Sequence, residues 1–460
     1  MTDLDPLNDT ADARAYHAAV RALGERGRFG IRLGLGRTRA LLHAMGDPQL
    51  AFRGALVAGT NGKGSVIALA GSALRAAGIR VGETPKPHLI SYRERLQIGG
   101  RPVDPATFTR LVNEVLPLVA GVARRHGEPT EFELLTAIIF RWFAESGVEI
   151  ALVEVGLGGR LDATHAWDGG VAVITNVSLD HTDRLGSTVR LIAREKAAII
   201  ERGDLAVTGA EPPALEVIRR RARRMGVPLR EVQPARFLDS SRDGIDVDLP
   251  GLGPIHVALR GRHQAANVAV ADATLDALEA AGIATVPPDA RRRGYATAIW
   301  PGRLELLRIH DRDVLLDGAH NPAGAAALAT ALEDLRPQLS GGPASDSPPL
   351  TLVVASMADK DADGIITALV ASSALRGARV ICTSVDVPRA MPAEALASRW
   401  RAIAPDLAVQ AIEPAHRALD LALAGAPGPV VVAGSLYLVG DARGHLVDDR
   451  PDRDPEDPRP

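Results

Sequence analysis

Cysteine is almost absent from this chain of 460 residues: Cys382 stands alone. An intrachain disulfide is excluded, and a lone thiol suits a reducing, cytoplasmic setting. No uninterrupted apolar run is long enough to span a bilayer, and Met1–Thr10 is acidic rather than signal-like, so no membrane partner is expected. Charge is nearly balanced, with 53 basic and 56 acidic residues and a net of -3, which removes the general electrostatic case for nucleic acid. Aromatic residues make up just 3%, yet 46% of the chain is hydrophobic, enough to fill large cores. The length suits two or three domains.

Lysine is the most informative scarcity. Of the basic residues only Lys63, Lys86, Lys196 and Lys360 are lysines, and arginine has taken every other place. The survivors are candidates for positions that need a compact ammonium or a deprotonatable amine, which a guanidinium cannot supply. Chance retention is the alternative at each.

One of the four lies in Leu56-Val57-Ala58-Gly59-Thr60-Asn61-Gly62-Lys63-Gly64-Ser65, which the helical run Val66–Ala77 follows. An apolar strand runs into a glycine-rich turn, then a lysine and a hydroxyl, then a helix. Glycines let backbone N–H groups converge, and a helix N-terminus adds partial positive charge. Lys63 can reach phosphate oxygens, and Ser65 can bind a phosphate or its Mg²⁺. The usual P-loop pattern is missed twice, at Val57 in place of the first glycine and at Gly64 between lysine and hydroxyl. Nucleotide binding is the expectation; a bare strand–turn–helix junction is the alternative.

Strands and helices alternate along the chain. Strands are expected at Ala55–Ala58, Ile79–Val81, Glu149–Val155, Val171–Asn176 and Leu205–Thr208. Helices are expected at Asp12–Glu25, Ser65–Ala77, Pro105–Arg125, Glu131–Glu145, Thr188–Ile200 and Pro212–Met225. This predicts a doubly wound, mostly parallel α/β sheet, in which ligands gather beyond the C-terminal strand ends. Arg236–Leu259 reads as small edge strands, and Arg262–Ala281 as a helix. A boundary near Trp300-Pro301-Gly302-Arg303 sets residues 1–300 as an ATP-binding domain and 301–440 as a smaller α/β, Rossmann-like domain. Gln338–Pro349 reads as a surface loop, and residues 441–460 as a charged, proline-rich, disordered tail.

Several polar clusters sit at strand ends. Glu154 closes an apolar strand, where a carboxylate is costly unless it is paired or meets a metal. His181 lies among acids after the next strand. Lys196, within Arg194-Glu195-Lys196, is either part of a solvated face or buried and modified. Asn267, near the start of a helix, either holds a base or caps the helix. Asp317-Gly318-Ala319-His320 and Asp359-Lys360-Asp361 end strands of the second domain. Polar loops from the two domains are expected to close over one cleft.

From about Leu33 to Gly440 the chain resembles the folylpolyglutamate synthase/dihydrofolate synthase family of the Mur ligase superfamily. The motifs that carry the resemblance run in order: Gly59–Ser65, Glu154–Thr164, Leu179–Gly186, Glu195–Ile200, Arg262–Asn267, Trp300–Glu305, Leu316–Pro322, Asp359–Asp361 and Gly434–Gly440. The resemblance implies an ATP-dependent amide ligation of L-glutamate to dihydropteroate or reduced folates through an acyl phosphate. It implies that Gly59, Thr60, Asn61, Gly62, Lys63, Gly64 and Ser65 hold the phosphates, and that Asn267, Arg303, Asp317 and His320 contact ATP. Ser65, Glu154, His181 and a carbamylated Lys196 would bind Mg²⁺, and Lys63, Lys196 and His181 would serve catalysis. Lys86, His88, Asp359 and Lys360 would belong to substrate loops. A monovalent cation such as K⁺ is left open, and a monomer is expected.

Two departures stand out. The family's Ser-Pro-His-Leu, whose serine helps coordinate Mg²⁺, is replaced by Lys86-Pro87-His88-Leu89, and His165 takes the place of an asparagine. An ammonium cannot ligate a metal, so Lys86 motivates a second reading, a ligase with a non-folate carboxylate acceptor. A nucleotide-binding module without ligation is the third.

Overall fold

In the strand Arg53–Ala58 (β1) every residue after Arg53 is buried. Such a strand belongs in the middle of a sheet covered on both faces. The computed structural model, which describes residues 10–29, 32–339, 348–425, 427–447 and 454, places it there. The further strands of this sheet are Val81–Thr84 (β2), Gln97–Ile98 (β3), Arg101–Pro102 (β4), Ile150–Glu154 (β5), Gly170–Ile174 (β6), Leu205–Thr208 (β7) and Leu229–Glu231 (β8). Their order is β4-β3-β2-β5-β1-β6-β7-β8. It is parallel from β2 to β8, and β3 and β4 add an antiparallel edge. The expected doubly wound, mostly parallel α/β architecture is present.

The second expected strand sits two residues late. Gly78, at φ +81, ends the chain's turn out of the helix Lys63–Ala76, and Arg80 is spent on hydrogen bonds to Glu149 and Ser146. The helix expected over Pro105–Arg125 is broken into Pro105–Val115 and Val119–His126. Pro117 lies in the 3₁₀ turn between them, where it lacks the N–H that a continuous helix requires. The few aromatics are concentrated rather than scattered. Phe52, Phe140, Phe143 and Trp167 pack against one another, and the Trp167 indole N–H donates to the Phe52 carbonyl at 3.3 Å.

The chain divides into two units. The first holds the described residues up to Pro234, then Asn267–Tyr295 and Asp454; the second holds Ala235–Ala266 and the described residues from Ala296 to Val447. By their contacts residues 235–266 go with the second unit, whereas the expected boundary at 300/301 sets them in the first domain. They form an antiparallel sheet of Arg236–Ser241 (β9), Gly244–Leu249 (β10) and Gly253–Val257 (β11). Charge holds it within the second unit. Arg242 makes a two-pronged pair with the fully buried Asp313 at 2.7 and 2.8 Å, and Arg262 does the same with Asp334. None of these partners is near in sequence.

The second unit's main sheet comprises Glu305–Ile309 (β12), Arg312–Leu316 (β13), Thr351–Val354 (β14), Arg379–Cys382 (β15), Ala408–Ala411 (β16) and Val430–Ala433 (β17). Its order is β12-β13-β17-β14-β15-β16, parallel except for β12. Of the expected disordered tail, Asp441–Leu446 instead continues the helix Leu436–Leu446. The rest of it, apart from Val447 and Asp454, lies outside the described residues, as do residues 340–347 of the expected surface loop. Among the described residues no helix is long and apolar enough to cross a membrane.

Candidate active site

The turn between β1 and the helix Lys63–Ala76 is built so that only glycine fits at two places. Gly59 has φ +153, and a Cβ there would lie 1.9 Å from Thr175 Oγ1. Gly62, at φ +81, would place a Cβ 2.3 Å from Asn267 Oδ1. Glycine thus lets the turn approach both β6 and the helix Gln264–Ala280. The same contact places Asn267 beside the glycine turn.

Residues just after β6 brace the turn. Asn176 Nδ2 donates to the Asn61 carbonyl at 3.0 Å, and the Asn61 N–H donates back to Asn176 Oδ1 at 3.0 Å. Thr175 Oγ1 donates to the same carbonyl at 2.6 Å, and the Thr60 N–H donates to the Asn176 carbonyl at 2.9 Å. Sequence reasoning placed a polar cluster here but missed Asn176 as the clamp.

Two amines meet inside the turn. Lys63 Nζ donates to the carbonyls of Gly59 and Thr60 at 3.2 and 3.1 Å and lies 3.7 Å from Glu154 Oε1. Lys196 Nζ donates to the Gly59 carbonyl at 2.7 Å and is buried. Burial first, and the neighbouring Lys63 charge second, push the Lys196 amine down to about 7. The solvated-face reading holds for the exposed Arg194 but not for Lys196. Glu195 is taken by Arg160, whose Nε donates to both its oxygens.

Glu154 is paired with Val57 across the β5–β1 ladder, so its carboxylate leaves the sheet beside the turn. Lys86 holds it: the Lys86 N–H donates to Glu154 Oε2 at 2.9 Å, and Lys86 Nζ donates to the Glu154 carbonyl at 2.6 Å. The turn that follows is stapled by buried Asp162. Its carboxylate accepts from the Leu157 and Thr164 N–H groups at 2.8 and 3.0 Å and from Thr164 Oγ1 at 2.6 Å. His165, the second departure, faces Glu201 at 3.3 Å.

The other expected residues of the first unit differ in exposure. His181 caps the short helix Thr182–Leu185 from a left-handed conformation, φ +49, with its ring 42% exposed. His88 is buried and accepts from Arg95 Nε at Nδ1, 2.8 Å away. Ser65 is buried in the first turn of the helix. Among the described residues, no three His, Cys, Asp or Glu side chains gather into an ion cage. Ser65, Glu154 and His181 offer a hydroxyl, a carboxylate and an imidazole, a set that would leave part of an ion's shell to phosphate and water, as Mg²⁺ accepts. Lys196 as an ammonium is no ligand; only a carboxylated amine would be.

In the second unit, Asp317 is buried at the end of β13 and accepts from the N–H groups of Leu304 and Ala319, both at 2.9 Å. Burial raises its pKa and the Arg303 guanidinium opposes the rise. His320 is held through Nδ1 to the Gly318 carbonyl at 2.7 Å, and Asn321 caps the helix Pro322–Leu335. Asp359 and Lys360 follow β14, with Asp361 capping the next helix. Arg389, which sequence reasoning missed, lies 3.5 Å from Asp359. Two main-chain hydrogen bonds, from the Ala358 N–H to the Arg389 carbonyl at 2.8 Å and from the Met391 N–H to the Ser356 carbonyl at 2.9 Å, zip its loop onto residues 356–358.

Comparison with known proteins gives two domains as well, with residues 235–266 on the side of the first. A model of the Mur ligase middle domain matches residues 57–275, and one of the dihydrofolate synthetase C-terminal domain matches residues 303–444. A dihydrofolate synthase/folylpolyglutamate synthase of Bacillus subtilis is 34% identical over 449 residues, covering 94% of this chain and 99% of its own. The structure of Mycobacterium tuberculosis folylpolyglutamate synthase complexed with ADP and AMPPCP matches with a TM-score of 0.84 at 34% identity, over 95% of this chain and 99% of its own. A bifunctional folylpolyglutamate synthase/dihydrofolate synthase of Yersinia pestis, complexed with AMPPNP and Mn ion, matches with a TM-score of 0.76 at 29% identity, over 94% and 98%.

Proposed function

The chain belongs to the folylpolyglutamate synthase/dihydrofolate synthase family of Mur ligases, and from that premise we propose that it joins L-glutamate to dihydropteroate, to reduced folates, or to both, at the expense of ATP. The observation that carries the reading is the convergence of Lys63 and Lys196 on one carbonyl inside a glycine turn, with Glu154 alongside.

The chemistry asks for this arrangement. The terminal phosphoryl group of ATP must pass to an anionic carboxylate with loss of ADP, giving an acyl phosphate; the glutamate amine then attacks the acyl carbon, loses a proton and expels inorganic phosphate. The N–H groups of Gly62–Ser65 and the Lys63 ammonium hold the phosphates and offset repulsion between the two anions, while the N–H groups of Thr60 and Asn61 stay on Asn176. Asn267, beside Gly62, contacts the nucleotide, and we assign nucleotide contacts in the second unit to Arg303, Asp317 and His320. Ser65, Glu154, His181 and a carbamylated Lys196 would hold the divalent ion, which we take to be Mg²⁺; when bound it would supply further neutralising charge on the phosphates. The relatives' complexes with ATP analogues and a Mn ion support a divalent metal. His88, Asp359 and Lys360 are assigned to substrate loops. The protein acts as a monomer in the cytoplasm.

Lys86 was the motive for a non-folate acceptor. With its amine on the Glu154 carbonyl, it no longer argues for one. The reading is tested by incubating the protein with Mg-ATP, glutamate and each acceptor in turn and weighing the products. An acceptor heavier by one glutamyl residue is expected, and unmodified acceptors in every case would refute it.

A further inference from the structure

Lys86 is the one lysine of the four whose type the nucleotide reading does not explain. It stands where the family's loop carries a serine that helps hold Mg²⁺, in a chain that has replaced nearly every other lysine by arginine. Its side chain does not reach outward toward a ligand. Nζ lies 2.6 Å from the Glu154 carbonyl and 4.8 Å from the centre of the Phe132 ring, while its main-chain N–H occupies Glu154 Oε2 at 2.9 Å. Lys63 approaches the other carboxylate oxygen, Oε1, to 3.7 Å. The Glu154 carboxylate thus meets the Lys63 ammonium and the Lys86 N–H, while the Lys86 amine lies on its carbonyl; burial lowers that amine to about 8, and the carboxylates of Asp162 and Glu154 oppose the fall.

The geometry explains why lysine survived here. A point charge on a slim stem fits between a carbonyl oxygen and an aromatic face, where it gains from both. A guanidinium is wider and planar, and would have to displace Phe132 or the carbonyl. Serine would leave that volume for a hydrated cation instead.

We infer that the Lys86 ammonium is a built-in cation that takes the place of a second divalent ion on its side of Glu154, so that the nucleotide site works with a single divalent ion, the one that arrives with ATP and that Glu154 helps to hold. A divalent ion beside the ammonium would meet direct repulsion in a partly buried setting, where charges are poorly screened. The inference rests on Gly59–Ser65 being the phosphate turn, and it adds the number of metal ions that turn employs.

Mn²⁺ binding measures that number without turnover. The full chain and its Lys86→Ser variant are titrated with Mn²⁺ in the presence of a saturating non-hydrolysable ATP analogue, and bound ions are counted by electron paramagnetic resonance. The natural chain is expected to bind one Mn²⁺ per bound nucleotide. Lys86→Ser is expected to bind a second at least about tenfold more tightly than the natural chain does, because a repelling charge has gone and a hydroxyl ligand has come. Two ions in the natural chain, or one in both proteins, overturns the inference. The natural chain settles the first point by itself, even where the variant does not fold. A chain that binds no nucleotide analogue refutes the reading of the turn, and the inference falls with it.

Discussion

Lys63 and Lys196 direct their amines at one acceptor, the carbonyl of Gly59, at 3.2 and 2.7 Å. Two ammonium groups that close repel each other, and burial of Lys196 adds to the cost of its charge. A neutral or carboxylated Lys196 relieves both penalties. Arginine cannot be neutralised or carboxylated in this way. Lys196→Arg is therefore expected to lose turnover by roughly a hundred- to a thousandfold while the protein stays folded. Isotopically labelled carbon dioxide should give a lysine carbamate signal in the natural chain and none in the variant. Near-normal turnover in Lys196→Arg would contradict the assignment.

Asn176 clamps the turn from the neighbouring strand end through both its amide atoms. Asn176→Ala removes two hydrogen bonds to a strained loop, each contributing about 1 kcal/mol. Nucleotide affinity, measured by calorimetry, should fall by up to about thirtyfold, the equivalent of about 2 kcal/mol. Unchanged affinity would mean that the turn holds its shape without Asn176.

That clamp also marks where sequence legibility ends. The turn itself, Glu154 and Lys196 were legible because their signals are local: a strand–turn–helix order, a carboxylate in an apolar strand, a rare lysine. The partners of Asn61 and Gly62 lie more than a hundred positions away in sequence, and nothing in either segment names the other. The direction of Lys86 was hidden for the same reason, since it depends on Glu154 and Phe132 arriving from other elements. Assignment of residues 235–266 depended on Asp313, an acid buried within a strand of the second unit that looked unremarkable until Arg242 met it. The sheet order, by contrast, follows from apolar strands and short crossovers and was largely legible.

Asp204 makes stability depend on pH. It is buried, and burial raises its pKa from 3.8 to about 7 against the Glu201 N–H bond, with the charges of Asp168 and Glu201 helping the rise. Between those two values the folded chain keeps a proton that the unfolded chain has released. Its contribution is therefore full below 3.8 and is lost as pH climbs through about 7. Asp204→Asn keeps an oxygen for the Glu201 N–H but carries no charge. Thermal melts should show the variant more stable than the natural chain at pH about 8, by roughly 2 kcal/mol, and equal to it at pH about 4. Parallel curves across that range would contradict the shift.

The most direct test of the ligase reading is phosphate release. Purified protein is supplied with Mg-ATP, and dihydropteroate or tetrahydrofolate is offered with and without L-glutamate. Release that requires both glutamate and one of the two acceptors is the predicted result. No glutamate-dependent release with either acceptor would contradict it.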